Sequence, residues 1–371
     1  MIYWLFLSPK NEALLLRLAG AGVLSFLLVV LLAPRVIRLL VRYKVGDRPE
    51  FDHANLNELT RHKSNTPTMG GALIVASMLV SILIFANVFG NMFVRMGLLV
   101  LIWLGVLGGI DDWLKLRHAP GTPTRDGLRS WEKLVFQIGL ALLVSIFMRH
   151  YYRAVEPAQF FYFPFLADPI AIGLTAHIII TTLTMVGTSN AVNLTDGMDG
   201  LAAGCLGIVA VVFLLISFLV SSVRFTELFR LPLIDRSVVE MAILCASMLG
   251  ACLGFLWWNS PPAHVFMGDT GSLPLGGMLG YIAVVTRQEL LLFIAGGVFV
   301  TEALSVMIQI SVFKMTKGPG GREGRRVFRC APLHHHFHLG GWAESKVVVR
   351  FWMLGVIFAA LALATLKLKI E

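Results

Sequence analysis

The chain has 371 residues, of which 57% are hydrophobic and only 14% charged. A mean hydropathy of +0.77 excludes a soluble globular domain. The formal charge of +9 is spread over separate loops, which argues against a nucleic-acid partner. We therefore expect an all-α, polytopic integral membrane protein that forms a single transmembrane domain over residues 1–371.

Apolar segments of membrane-spanning length recur along the whole chain. A bilayer-spanning helix needs about 17–25 apolar residues, and about ten segments meet this criterion. The first is too long for a signal-peptide core, so we expect it to be retained. The ten segments cover roughly 18–40, 70–89, 95–111, 133–149, 169–188, 200–222, 237–257, 272–287, 290–313 and 347–368.

Lys and Arg are concentrated in alternate loops, at 42–63, 115–133 and 314–346. By the positive-inside rule these loops are cytoplasmic, which places both termini outside. The segment 224–236, with three arginines, is an exception on the predicted outer side. Such a basic inner surface suits anionic lipid and an anionic substrate.

Polar clusters stand at the ends of several apolar segments. Asp111-Asp112 is either a helix end at the interface or a pair of acids facing a cation. Asn193, Asp196 and Asp199 lie at i, i+3 and i+6, and a helix cap explains only one of them. We interpret that segment as a binding loop, in which glycines allow close approach of a ligand.

Three further clusters have two interpretations each. Lys63 with the segment 66–71 forms either a capped helix start or a phosphate-binding start. Asp269 stands between two glycines in the segment 266–272. This segment is either a turn in which Asp269 caps the next helix, or a loop in which Asp269 is a metal ligand. His334-His335-His336 lacks the usual spacing of zinc ligands, and binding of pyrophosphate or support of reacting groups fits better.

The predicted topology brings all these polar clusters to the cytoplasmic face. The outer loops carry no comparable polar cluster in the sequence. Several acids at membrane depth suggest one shared divalent cation with phosphate ligands. The sequence has no Walker A, Rossmann or G-x-S-x-G motif. The energy for the reaction must therefore come from an activated substrate, which indicates membrane phosphoryl chemistry.

Five motifs in this order resemble the phospho-N-acetylmuramoyl-pentapeptide transferase family, of the polyprenyl-phosphate N-acetylhexosamine-1-phosphate transferase superfamily. They are 66–71, Asp111-Asp112-Trp113-Leu114-Lys115, 187–202, 265–272 and 331–337. The resemblance extends from the first predicted span to Arg350-Phe351-Trp352. The chain departs from the family's usual pattern in the loop 45–62, at Asn65, at His338 and in the Gly- and Arg-rich segment 317–326.

The resemblance implies a ten-helix enzyme of the bacterial inner membrane, a homodimer that requires Mg²⁺. Its substrates would be UDP-N-acetylmuramoyl-pentapeptide and undecaprenyl phosphate, and its products lipid I and UMP, in peptidoglycan synthesis. Asp269 would carry the metal, with Asp111 and Asp112 as neighbouring catalytic acids. Phe266 would stack on uracil. The remaining implied substrate-binding residues are Lys63, Thr68, Lys115, Asn190, Asn193, Asp196, Gly197, Met198, Asp199, Asn259, Gly268, Gln309, His334, His335 and His336.

Two mechanisms and two other functions stay open at this stage. Direct attack by the lipid phosphate is favoured over a covalent aspartyl-phosphate route, with Asp111 as a base. A sibling transferase for UDP-N-acetylglucosamine shares the acid motifs, but the 332–337 histidine motif and Arg350-Phe351-Trp352 argue against it. A cation transporter would place its acids near the middle of the membrane in repeated halves, and no repeat is seen here.

Overall fold

The computed structural model describes residues 11–43, 63, 66–116, 127–151, 159–166, 168–229, 231–232, 235–318 and 323–366. Within these residues the regular secondary structure is α-helical, apart from a 3-10 helix at Arg236–Val239 and a two-stranded antiparallel hairpin in which Phe160 pairs with Ala171. The prediction of an all-α polytopic membrane protein is confirmed. The divergent loop 45–62, Asn65 and residues 319–322 lie outside the described residues.

Thirteen α-helices occur in the described part of the chain. They are α1 (Asn11–Arg42), α2 (Gly71–Phe85), α3 (Met92–Leu116), α4 (Ser130–Tyr151), α5 (Leu174–Thr195), α6 (Leu201–Leu219), α7 (Val223–Phe229), α8 (Glu240–Asn259), α9 (Asp269–Thr286), α10 (Glu289–Ala295), α11 (Gly297–Thr316), α12 (Leu333–Leu339) and α13 (Glu344–Thr365). The strands of the hairpin, β1 (Phe160–Phe161) and β2 (Ile170–Ala171), lie between α4 and α5.

Each predicted span coincides with one of these helices, with one exception. The segment predicted at 290–313 is divided, because α10 ends at Ala295 and α11 begins at Gly297. Hydropathy continues through Gly296, so an apolarity criterion does not detect the break. Seven of the described helices are long and apolar enough to cross a membrane.

Helix α9 lies at the centre of the bundle, and every residue from Asp269 to Thr286 is buried. It packs against α3 and α5. A side chain at Gly276 or Gly280 would overlap the α5 backbone at Thr188 or Met185, so these two glycines permit close packing within the chain. At the start of α9, Gly108 of α3 lies directly against the Asp269 carbonyl. This contact brings Asp269 to the end of α3.

The opposite end of α9 is held by a buried arginine. Arg287 has a left-handed backbone conformation (φ 55°) and ends the helix. Its guanidinium donates to the Phe160 carbonyl at 2.6 Å and to Glu289 at 3.0 Å. The β-hairpin is therefore attached to the α9–α10 junction, far from Asp269.

Candidate functional site

Three carboxylates converge where four helix ends meet. Asp111 and Asp112 lie in the last turns of α3, and Asp269 is the first residue of α9. One oxygen from each of the three lies within 4.8 Å of the others. Lys133, near the start of α4, and Asn193, in the last turn of α5, complete the cluster. We call these five residues, together with Lys115, the acidic cluster.

The Asp112 carboxylate accepts hydrogen bonds from the first residues of α9. Its Oδ1 accepts the Asp269 N–H at 3.1 Å, and its Oδ2 accepts the N–H and the hydroxyl of Thr270 at 2.9 and 2.6 Å. The first N–H groups of a helix have no partner within the helix, and an acid there is stabilised by the helix dipole. Asp112 thus caps α9 from the neighbouring helix and fixes the position of Asp269.

Gly268 makes this cap possible. Its φ of 72° is a left-handed conformation that favours glycine, and a side chain there would overlap Asp112 Oδ2 and Thr68 Oγ1. The chain therefore turns into α9 with its backbone directly against both polar groups. Thr68 is buried beside this turn.

Asp111 and Asp269 are bridged by lysine. Lys133 Nζ lies 3.0 Å from Asp111 Oδ2 and 2.9 Å from Asp269 Oδ2. Lys115 Nζ lies 2.9 Å from Asp111 and 3.4 Å from Asp269. Asn193 Nδ2 donates to Asp269 Oδ1 at 2.7 Å. The Leu128 N–H donates to Asp111 at 2.7 Å and sets the orientation of that side chain.

The donor set fits a hard divalent cation. Three carboxylates outnumber the two ammonium groups, and carboxylate oxygens are the ligands that Mg²⁺ prefers. Asp112 Oδ1, which accepts a single backbone hydrogen bond, keeps a second lone pair for a metal. In the loop after α5, loss of solvation and repulsion from Asp269 and Asp112 raise the pKa of Asp196 to about 8. A bound cation would relieve this excess of negative charge.

A second polar group, which we call the Lys63 cluster, lies beside the first. Lys63 Nζ lies 2.6 Å from Asp199 Oδ1, contacts the Glu344 carboxylate of α13, and stands 5.9 Å from the centre of the Phe266 ring. Asp199 Oδ2 accepts the Ala263 N–H at 3.0 Å, and Glu344 accepts the Asp199 N–H at 2.9 Å. These contacts join the first loop, the loop after α5 and the start of α13.

Phe266 lies between the two clusters and is half-buried. Its N–H donates to the Pro67 carbonyl at 2.8 Å, and its carbonyl accepts the Gly70 N–H at 2.8 Å. The backbone is therefore fixed while the ring stays partly accessible. Such a ring can stack on a base.

The histidine motif folds as the short helix α12. His334 is fully buried, and its ring lies against Gly197 of the loop after α5. Burial, with the neighbouring His334, His338 and Lys63, lowers the pKa of His335 to about 2, so this imidazole is neutral. His336 Nδ1 accepts the Arg329 N–H at 3.1 Å.

Several predicted substrate-binding residues have their polar atoms engaged by the protein. Asn259 joins the Gly200 N–H to the Val265 carbonyl, at 2.9 and 2.8 Å. Asn190 donates to the Val186 carbonyl and to Gln137 of α4. Gln309 accepts the N–H groups of Val327 and Phe328, at 3.0 and 2.9 Å. Met198 is buried, whereas Gly197 is exposed. The first three therefore support loops and helices around the site, and their substrate-binding role stays a prediction.

The sequence did not predict two polar residues of the site, Lys133 and Glu344. Lys133 was counted only as a loop cation, yet it contacts two of the three carboxylates. Its position three residues after a helix start, on the side that carries Asp111, was the available signal. Glu344 gave no motif, because it is a single acid at the start of the last apolar segment.

An apolar cavity of about 440 Å³ lies between α5, α10 and α11. Its lining includes Leu183, Thr188 and Ala191 of α5 with Phe293, Leu304 and Met307. Ala191 precedes Asn193 of the acidic cluster by two residues. The lining of the cavity on α5 thus ends at Ala191, within the last turns of the helix that carries Asn193.

Comparison with known proteins agrees with this geometry. Residues 94–287 match the family described as glycosyl transferase family 4. A phospho-N-acetylmuramoyl-pentapeptide-transferase of Desulfotalea psychrophila is 44% identical over 354 residues, which are 95% of this chain and 94% of that protein. Enzymes of the same name from Desulforapulum autotrophicum and Thermodesulfovibrio yellowstonii are each 42% identical, over 95% and 93% of this chain and 93% and 91% of their own.

The fold and the site thus define a multi-pass membrane transferase of glycosyl transferase family 4. More narrowly, the chain belongs to the phospho-N-acetylmuramoyl-pentapeptide-transferase family.

Proposed function

We propose that the protein transfers phospho-N-acetylmuramoyl-pentapeptide from its UDP derivative to undecaprenyl phosphate, releasing UMP and forming lipid I. The observation that carries the proposal is the convergence of Asp111, Asp112 and Asp269 with two lysines, in a chain 44% identical to an enzyme of that name. Carboxylates with lysines fit a metal-assisted transfer between phosphates. The step makes one P–O bond to the acceptor and breaks the bond to UMP.

Asp269 would hold Mg²⁺, with Asp111 and Asp112 as the neighbouring acids. When bound, the ion neutralises charge on the diphosphate and makes UMP a better leaving group. Asp112 orients Asp269 through the α9 backbone. Lys115 and Lys133 supply positive charge for the phosphate oxygens.

The uridine would lie beside the Lys63 cluster. The half-buried Phe266 ring offers a stacking face, and Lys63 with its partner Asp199 lies beside it. Sequestering the base there would present the diphosphate to the acidic cluster. Positioning of this kind contributes to the rate because the reacting groups lose little further entropy.

The acceptor would enter from the lipid along the apolar cavity between α5, α10 and α11. The α5 lining of the cavity ends at Ala191, two residues before Asn193, so a polyprenyl chain along it would bring its phosphate towards the end of α5 that carries the acidic cluster. The second pKa of a phosphate monoester lies near about 6, so little help is needed to ionise it. Asp111 would accept the remaining proton, and the acceptor oxygen would attack the β-phosphorus directly.

The site would face the cytoplasm of a bacterial inner-membrane homodimer, with both chain termini outside. The alternation of Lys- and Arg-rich loops supports this orientation. A UDP-linked substrate made in the cytoplasm would then reach the acidic cluster without crossing the membrane.

The test is UMP release by the purified protein in detergent with undecaprenyl phosphate. Parallel reactions would contain UDP-N-acetylmuramoyl-pentapeptide or UDP-N-acetylglucosamine, with Mg²⁺ or with EDTA. We expect Mg²⁺-dependent release from the first nucleotide only. Release from UDP-N-acetylglucosamine alone would identify the sibling activity, and no release from either would refute the proposal.

A further inference from the structure

Glu302 is a fully buried acid within the apolar helix α11. Both of its oxygens face His334: Oε1 accepts the His334 backbone N–H at 3.2 Å, and Oε2 lies 3.2 Å from Nδ1 of the ring. Burying a carboxylate is costly unless it is paired and hydrogen-bonded. Glu302 therefore anchors the backbone of His334, and its second oxygen lies against the ring without a hydrogen bond to it.

The other side of the same ring supports the loop after α5. A side chain at Gly197 would overlap His334 Nε2 and Cε1, so the loop backbone lies directly on the imidazole. Two residues further on, Asp199 binds Lys63 and the Ala263 N–H. The position of the ring thus determines how closely this loop approaches the Lys63 cluster.

His334 cannot itself contact a ligand in this arrangement, because its side chain has no exposed surface. Its effect on a substrate must pass through the loop that it supports. A carboxylate oxygen 3.2 Å from Nδ1 and the Gly197 backbone on the other side restrict the orientation of this ring.

We propose that Glu302 is a positioning residue for nucleotide binding, acting through His334 on the loop 196–199. The inference rests on the proposed function, because it assigns that loop to the uridine end of the substrate. Glu302 contacts neither the acidic cluster nor the reacting phosphates, so it governs affinity for the nucleotide more than the rate of the chemical step.

The experiment compares UMP affinity and turnover in the wild type and in Glu302→Gln. The amide keeps the size of the side chain, but it replaces one of the two acceptor oxygens with a donor group. Loss of a partner that orients a site residue typically costs about 10- to 100-fold in affinity or activity. We expect the dissociation constant of UMP to rise about tenfold, with kcat at saturating nucleotide nearly unchanged.

Glu302→Asp provides a second variant in case the first fails to fold. It keeps the charge but shortens the reach by one methylene, so its affinity for UMP should fall between those of the wild type and Glu302→Gln. Glu240→Gln is the matched control, since Glu240 is also a buried acid in an apolar helix and pairs with Arg17 at 2.6 Å, away from the loop. It should lower the melting temperature and leave UMP affinity intact.

Unchanged UMP affinity in folded Glu302→Gln protein would overturn the inference. Equal loss of affinity in Glu240→Gln would also overturn it, because general destabilisation would then explain the effect. A wild-type protein that binds no uridine nucleotide would refute the proposed function itself.

Discussion

Asp112 and Asp269 are joined through the backbone rather than side chain to side chain: the Asp112 carboxylate accepts the Asp269 N–H at 3.1 Å. The two acids therefore have different tasks although both belong to one cluster. Asp112 sets the position of α9, and Asp269 presents its carboxylate to Lys133 and Asn193. This division of tasks makes their substitutions distinguishable.

Asp269→Asn should nearly abolish UMP release while the protein stays folded. The change removes the charge that we assign to the metal, and loss of one electrostatic stabiliser typically costs about 10²- to 10³-fold in kcat. Turnover and melting temperature should be measured together. Asp168→Asn, on the exposed hairpin, is the control. Wild-type turnover in purified Asp269→Asn protein would remove Asp269 from the reaction.

Asp112→Asn should weaken Mg²⁺ binding and lower the stability of the protein. An amide cannot accept all three hydrogen bonds from Asp269 and Thr270, so α9 loses part of its cap, which typically contributes about 0.5–2 kcal/mol. Because the metal acid is then less well oriented, the Mg²⁺ concentration for half-maximal activity should rise about 10- to 100-fold. A Mg²⁺ titration in which only the melting temperature changes would contradict this.

Lys133→Gln should lose turnover although no sequence motif marks it. The substitution removes the ammonium group that lies within 3.0 Å of both Asp111 and Asp269. The exposed Lys314→Gln, also a helical lysine, is the matched control and should behave as wild type. Equal activity of the two variants would show that the Lys133 contacts have no part in transfer.

Phe266→Ala should weaken nucleotide binding without stopping the chemical step. Stacking of a base on an aromatic ring is worth about 1–3 kcal/mol, which corresponds to roughly 5- to 150-fold in affinity. Asp111→Asn should show the opposite pattern, with UMP affinity kept and kcat lost. Titrating UMP into both variants, with melting curves alongside, tests the assignment. Unchanged affinity in stable Phe266→Ala protein would exclude the ring from the site.

Cysteine labelling in intact cells tests the orientation. In a Cys330→Ser background, Arg325→Cys should resist an impermeant reagent, whereas Asp168→Cys should react. Both positions are exposed in the structure, so a difference in labelling reports the side of the membrane. Labelling of Arg325→Cys alone would place the acidic cluster outside and exclude a cytoplasmic nucleotide substrate.

Hydropathy predicted the helices because membrane spans are long and apolar. This property can be read from each segment alone, without knowing which helices pack against it. It did not predict the break at Gly296, since the residues on both sides are apolar and the interruption is a matter of backbone conformation. The carboxylates were also visible, because an acid at the end of an apolar segment is costly and therefore informative.

The hydrogen-bond partners of the polar side chains were harder to predict from the sequence than the positions of these side chains along the helices. The assignment of Asn259 and Gln309 to the substrate site stays a prediction, and the backbone hydrogen bonds that both make in the structure depend on the direction of a side chain. Glu302 was not predicted as a site residue for the same reason. Its role depends on its contact with His334, which lies 32 residues away in the sequence. Pattern alone contains no information about such a pairing.

The complete enclosure of α9 has a consequence for how the protein is made. Helix α9 is not among the seven described helices that meet the apolarity criterion, and its sequence contains an acid, a proline and four glycines. Membrane insertion depends on the apolarity of each segment, and an acid within it is unfavourable. We therefore expect α9 to enter the bilayer together with α3 and α5 rather than alone. The features that build the site, close glycine contacts and a terminal carboxylate, are then the ones that make biogenesis depend on neighbouring helices.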